Sequence, residues 1–466
     1  MSRQSSLVKN TGVLAIGFFL PKLISIVTLP LLTGHLTEDD YGLLDVMSTW
    51  ITFLAPFISL KLDGALFRML LESRDDDIKK NQTIANVVYP VAVLTAIWIL
   101  ILSFVFPSSY LKHKTIFFFW LCSQIFYDVL MQMLRGLSNN KLYAVMSSLG
   151  SVTNSLFIII FICFKDGGFL EVILATILGL QIVNITILLL YRKTIIVPTS
   201  YVNKKTIKSH LAYSVGLIPN TLGNWVVGLS DRLIINMFLP LQSSAVYAVA
   251  NKLPALVVLV QSTFATAWTE SAALSANETD KEEYYSSTFE TSIDLSAGLI
   301  CVSLAFTPLF FTLLVRGNYE EAIIHNNIIL VGTYFLSITW FLGGIYLAYK
   351  DTIQVAKIAI LSALINVAIN FTFINFIGLF AASLSTAIAY FVTMIQRLMH
   401  TVRKGWISVD RNRFAWRIIA IMAIFDMEII VDSVIQHVLV CGLSIILFCA
   451  FNKKTISHVI KRFKKA

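Results

Sequence analysis

Long apolar runs, each closed by a short polar or charged segment, recur along the whole chain. They lie at about 11–33, 41–62, 84–106, 115–134, 142–164, 170–191, 211–239, 243–266, 295–315, 322–349, 358–376, 378–396, 414–432 and 434–451. A stretch of ~20 mostly apolar residues is long enough to cross a bilayer as a helix, so the pattern predicts fourteen membrane helices. Runs 84–106 and 142–164 contain no charged residue, whereas 414–432 is interrupted by Asp426 and Glu428. Twelve spans followed by a terminal hairpin is therefore the expected core. Most runs show no polar stripe at the helical period, as expected of helices that are apolar on every side. The apolar run after MSRQSSLVKN is too long for a signal-peptide core and is expected to stay as the first span.

Composition sharpens this into a fold class. Of 466 residues 57% are hydrophobic and 14% charged, with a mean hydropathy of +0.77. A water-soluble domain carries about 25% charged residues. The expectation is an all-α polytopic membrane protein of 12 to 14 transmembrane helices, with no room left for a soluble catalytic domain. Cys122, Cys163, Cys301, Cys441 and Cys449 all sit in apolar runs without metal-ligand spacing.

The net charge of +9 changes the picture only when its placement is read. With the N-terminus inside, Lys112, Lys114, Lys165 and Arg316 fall in outer connections and Lys22, Lys61, Arg232 and Lys252 fall within spans. The other Lys and Arg residues lie in or beside inner loops, notably at 192–208, 403–417 and in the tail. This is the positive-inside distribution, with both termini cytoplasmic. The basic patches read as topology signals and anionic-lipid contacts, with no nucleic-acid partner.

The basic stretch Tyr191 to His210 divides the chain into N-lobe 1–191, linker 192–210, C-lobe 211–400 and a terminal hairpin with basic tail, 401–466. Six spans precede the linker, so both halves enter the membrane in the same direction. Their openings rhyme, with Pro21 answering Pro219 and Tyr41 answering Tyr247. Proline and glycine weaken helices where freed carbonyls can meet protein or a watery cavity, and matched interruptions in two halves point to a transporter's central site. Span one carries Gly17, Pro21 and Pro30; span seven carries Gly216, Pro219, Gly223 and Gly228.

Charges at membrane depth cost at least ~2.5–3.5 kcal/mol and mark function by default. Lys22, Asp128, Asp231, Arg232 and Lys252 are of this kind, each also readable as a helix-locking ion pair or snorkelling chain. Asp45, Lys61, Asp63 and Arg68 flank the ends of span two, where an interfacial charge is cheap. Asn220, Asn224, Asn366 and Asn370 supply polar faces, for which hydrogen bonding between helices is the commoner role. The carboxylate runs Glu38-Asp39-Asp40 and Asp75-Asp76-Asp77 could suggest metal-dependent sugar transfer, but no outer domain or α/β domain is present to use them. No phosphate-binding glycine loop occurs, so no nucleotide or other cofactor is implied.

Taken in order, LTEDDYGLLDV (Leu36 to Val46), GALFR (Gly64 to Arg68), RGLSNNKLYAV (Arg135 to Val145), YSVGLIPNTLGNWVVGLSDR (Tyr213 to Arg232), AVYAVANKLP (Ala245 to Pro254) and LINVAINFTFI (Leu364 to Ile374) carry a resemblance. The chain resembles the polysaccharide flippases of the multidrug/oligosaccharidyl-lipid/polysaccharide exporter superfamily, the O-antigen repeat-unit translocases in particular. FLPL at Phe238 to Leu241 departs from the glycine common in that family's turn. The resemblance implies two pseudo-symmetric six-helix lobes around a central cavity, alternating access, and a bacterial inner-membrane location. The implied substrate is an undecaprenyl-diphosphate-linked oligosaccharide moved to the outer leaflet at the expense of an H⁺ or Na⁺ gradient. A polysaccharide polymerase and a chain-length regulator are the implied partners.

On this reading Lys22, Arg232 and Lys252 meet the diphosphate, Arg68 and Arg135 form an inner collecting rim, and Asn220 adds a polar contact. Asp128, Asp231 and Asp45 are the ion-coupling candidates. Three alternatives stay open: a lipid II or related precursor flippase, a drug/ion antiporter, which should show net-acidic charges in place of Lys22 and Lys252, and a membrane glycosyltransferase or polymerase.

Overall fold

A computed structural model describes residues 19–73, 76–105, 113–165, 167–195, 198, 201–431, 433–453 and 455–457. No β-strand occurs among them. The chain divides into two compact units, Met1–Trp225 and Val226–Ala466.

In the first unit, residues 19–27 form a helix that breaks at Thr28 before α1 (Leu29–His35), whose second residue is Pro30. There follow α2 (Glu38–Ile58), α3 (Leu62–Glu72), α4 (Asp77–Val105), α5 (Lys114–Gly136), α6 (Asn140–Lys165), α7 (Phe169–Leu190) and α8 (Lys204–Val215). The start of α2 is capped by Thr37, whose hydroxyl accepts from Asp40 N, with Glu38, Asp39 and Asp40 in the first turn. Carboxylates there complement the helix dipole, an ordinary structural task for a triplet that had suggested metal binding. Helices α6 and α7 touch backbone to backbone: a Cβ at Gly179 would lie 3.0 Å from the Gly150 carbonyl oxygen. Small residues at such crossings are how helices pack where lipid supplies no hydrophobic drive. Asn86 of α4, fully buried, donates to Tyr201 O at 2.9 Å and accepts from Asn203 N at 2.7 Å. The basic segment before α8 is thereby clasped to the first unit.

Helix α9 (Ile218–Phe238) runs across the division. The second unit continues with α10 (Leu241–Ala250), α11 (Lys252–Leu274), α12 (Lys281–Ala305), α13 (Thr307–Leu314), α14 (Glu321–Ala348), α15 (Thr352–Ile377), α16 (Phe380–Arg403), α17 (Arg411–Ile430) and α18 (Val434–Phe451). Its core is aromatic: Trp268 stacks on Phe341 at 4.1 Å and donates its indole N–H to Phe341 O at 2.8 Å. Helix α14 is the centre of this unit, burying residues on all sides.

Over its described residues, each predicted run coincides with a helix or a broken helix pair. Among the described residues nine helices are individually long and apolar enough to cross a membrane, and a tenth span forms if α10 and α11, bent by 41°, are taken together. Phe104, Phe164 and Phe376 are 82%, 81% and 80% exposed. Such side chains on helices of this hydropathy belong in lipid, and the protein is a multi-pass membrane protein. The acidic residues Glu282, Glu283 and Glu290 are helical, because α12 starts at Lys281, well before its apolar run at 295.

The breaks extend the sequence expectation. Spans one and seven are interrupted, at Thr28 and between α8 and α9, but so are spans two and eight. In span two, Pro56 lies in the last turn of α2, and Leu60 and Lys61 take left-handed backbone conformations (φ 48° and 56°) before α3 begins. In span eight the bend falls at Asn251, whose side-chain amide donates to Tyr247 O at 2.8 Å. Lys252 opens the next helix immediately after it.

Candidate functional site

Each unit carries ionisable groups at membrane depth. In the first, the left-handed turn delivers Lys61 onto Asp63, with Nζ and Oδ2 2.8 Å apart. Asp63 is buried in the first turn of α3, contrary to the cheap interfacial placement expected for it. Asp128 of α5 accepts from Gln124 Nε2 at 2.9 Å and lies close enough to Lys61 and Asp63 for both to act on its charge. Two carboxylates and one ammonium therefore share this part of the unit. Sequence distance hid the relation, since sixty-odd residues separate the helices that carry them.

In the second unit, Asp231 of α9 is buried at 4% exposure and is surrounded by neutral donors from three other helices. Its Oδ2 accepts from Tyr247 (α10) at 3.0 Å and from Thr386 (α16) at 2.5 Å; Oδ1 accepts from Asn370 (α15) at 2.8 Å. Asn366, one turn before Asn370, satisfies its neighbours with its amide nitrogen 3.1 Å from Oδ1 and its oxygen toward Thr386 N. The spacing Asn366 to Asn370 places both amides on one helix face, which makes the asparagines part of the Asp231 site rather than simple helix ties. None of these four partners brings a positive charge. A carboxylate taken out of water without a cation is costly, so this cluster of oxygens and amides is suited to a proton or a small hard cation such as Na⁺. Among the described residues no group of three or more His, Cys, Asp and Glu is arranged to hold a metal ion.

Residues 7–269 match the family described as "Polysaccharide biosynthesis protein". The chain belongs to that family. No curated protein matches the chain. Solved structures match over nearly the full length of this polysaccharide biosynthesis family member at low identity. One is a lipid II flippase MurJ in an inward closed conformation, 15% identical, with a TM-score of 0.68 over 96% of this chain and 99% of that one. Another is an inward-facing multidrug resistance MATE family transporter of the MOP superfamily, 14% identical, with a TM-score of 0.63 over 91% and 96%. A third is a MOP superfamily transporter from Pyrococcus furiosus, 15% identical, with a TM-score of 0.59 over 85% and 95%. The fold is that of MOP superfamily transporters.

The remaining sequence candidates of this family member fall as follows. Lys22 is exposed, and its carbonyl accepts from Ser25. Arg68 pairs with Glu72 one turn on, at 3.0 Å, both half exposed. Arg135 lies over the rings of Phe67 and Tyr143, at 4.8 and 5.7 Å, and donates to Gln132 Oε1. Asp45 is half-buried on α2, where Thr49 donates to its carbonyl. Arg232 and Lys252 are half-buried. The Asn220 side chain lies outside the described residues. Sequence reasoning missed Tyr247 and Thr386 as partners of Asp231, for which no local signal exists, and a third cluster. Glu290 and Asp294 on α12 meet Arg413 and Arg417 on α17. Here the signal was present, as both pairs have the i, i+4 spacing that lines charges along one helix face.

Proposed function

We propose that this protein is a flippase that carries undecaprenyl-diphosphate-linked oligosaccharide repeat units, of the O-antigen type, across the bacterial inner membrane by ion-coupled alternating access. The observation that carries the reading is membership of a polysaccharide biosynthesis family on a transporter fold. Moving a diphosphate with attached sugars through ~30 Å of hydrocarbon requires a polar route and cations, because a desolvated charge otherwise sets a prohibitive barrier. Lys22 in the first unit and Arg232 and Lys252 in the second are the cations assigned to the diphosphate, with Arg68 and Arg135 collecting it at the inner face.

Asp231 is the first-choice coupling group. A proton or Na⁺ held among Asp231, Asn366, Asn370 and Thr386 neutralises the buried charge, and its release returns a carboxylate whose partners must reorganise. Asp128, beside Lys61 and Asp63, is the corresponding group of the first unit.

Mass spectrometry of lipids copurifying with the protein, joined to rescue of a flippase-deficient strain, tests the reading. Copurified polyprenyl-diphosphate oligosaccharide with rescue supports it. Sugar incorporation by the purified protein alone would overturn it, and full surface polysaccharide from both Lys22→Ala and Asp128→Asn would remove those residues from the site.

A further inference from the structure

The second unit contains a cavity of about 330 Å³ between α11, α14, α15 and α16, separate from the Asp231 cluster. We propose that this cavity binds the phosphate group of a membrane lipid, with the Arg397 guanidinium as its cation.

Arg397 is 7% exposed, yet its guanidinium lines the cavity. One of its N–H groups donates to Thr339 O at 2.7 Å, while Nε–H has no hydrogen-bond partner. The Tyr346 ring, 6.0 Å from Cζ, is the aromatic group beneath it. Among the described residues no carboxylate lies within ion-pair distance of Arg397. Arg417, the other buried arginine of this unit, is held by two carboxylates at 2.5 and 2.8 Å. A buried guanidinium with an orphaned donor and no counterion is an unfinished ion pair. The forked donors of arginine fit the oxygens of a phosphate ester.

The walls are built for that partner. Gly343 lets the guanidinium lie against α14: a Cβ there would stand 2.9 Å from Nη1. Facing it, α11 presents Ser262, Thr266 and Thr269 at helical spacing. Each hydroxyl now donates to a carbonyl of its own helix. Those carbonyls belong to helix interior positions with their own backbone donors, so the hydroxyls are able to turn toward an anion at little cost. Leu347, which lines the cavity, is 48% exposed, and Ile353, six residues on, is 70% exposed. Exposed apolar side chains beside a cation and three hydroxyls suit an acyl or polyprenyl chain with a phosphate head, rather than a free ion. The cavity lies where α14 ends and α15 begins, the end that the distribution of Lys and Arg assigns to the cytoplasm. Anionic lipid is concentrated on that side of a membrane.

The phosphate has two sources, an anionic phospholipid or a polyprenyl diphosphate, and the site itself is independent of the transported glycan. Native mass spectrometry of the detergent-purified full chain, titrated separately with dioleoyl phosphatidylglycerol, undecaprenyl diphosphate and inorganic phosphate, separates them. At least one of the two lipids is expected to bind, and R397Q is expected to weaken it at least tenfold. G343A, which crowds the guanidinium while keeping its charge, should weaken the same lipid and guards against misfolding of R397Q. R316Q, which removes an exposed arginine from an outer connection, serves as control and should bind as the unaltered protein does. Loss for phosphatidylglycerol assigns a resident phospholipid; loss for undecaprenyl diphosphate assigns a cargo subsite. Lipid binding indifferent to both R397Q and G343A, or binding of inorganic phosphate alone, would overturn the proposal.

Discussion

Arg417 and Asp294 join the terminal hairpin to the rest of the second unit: the Arg417 Nε–H donates to Asp294 Oδ1 at 2.8 Å, and Arg417 has no solvent exposure. Glu290 Oε2 takes the other edge of the guanidinium at 2.5 Å, and Arg413 covers Asp294 from the outside at 2.6 Å. The run 414–432 is interrupted by Asp426 and Glu428 and also carries Arg417. The charge at Arg417 is what fastens its helix to α12.

Removing one member leaves the others buried and unmatched. Arg417→Met is therefore expected to cost about 3–5 kcal/mol, seen as a lowered thermal midpoint in detergent. Replacing Glu290, Asp294 and Arg417 together by Met, Leu and Met should recover most of the loss. Equal destabilisation by the single and triple variants would refute this account of the hairpin.

The same hairpin depends on a close crossing. A Cβ at Gly298 of α12 would lie 2.7 Å from Phe448 Cδ2 and 3.1 Å from Phe448 Cα on α18. Gly298→Leu is expected to push α18 outward and destabilise by about 1–3 kcal/mol. Protease cleavage between residues 404 and 410 should accelerate relative to the unaltered protein; an unchanged rate would argue that α18 is not held by this contact.

Asp231→Asn keeps the side-chain shape while deleting its charge. Stability should hold or rise, since a desolvated carboxylate is relieved, but rescue of the flippase-deficient strain should fail at normal protein abundance. A substitution that helps folding and abolishes function is the signature of a functional site. Full rescue would remove Asp231 from the coupling role.

Lys350 closes α14 in a left-handed conformation (φ 59°), with its N–H donating to Leu347 O and that of Asp351 to Tyr346 O. This is a glycine position occupied by an exposed lysine. Relief of ~1–2 kcal/mol of left-handed strain outweighs the added unfolded-state entropy of glycine, so Lys350→Gly should stabilise by about 0.5–1 kcal/mol. Thermal midpoints of the two proteins decide it.

The helix positions, the membrane class and the doubled arrangement of interrupted spans were legible in the sequence, because each depends on runs of local hydropathy and on proline and glycine acting where they stand. Asp231 and Asp128 were legible too, since a charge inside an apolar run is visible without knowing its neighbours. Their surroundings were not. Tyr247, Asn370 and Thr386 reach Asp231 from three helices up to 155 residues away in the chain, and the same distance separates an ordinary salt bridge from an unfinished one. The spacing of Arg413 and Arg417 marks a charged helix face but names no partner for it. Only tertiary packing brings Glu290 and Asp294 to Arg417 and, among the described residues, brings no carboxylate to Arg397, because burial and charge pairing are decided by which helix faces meet.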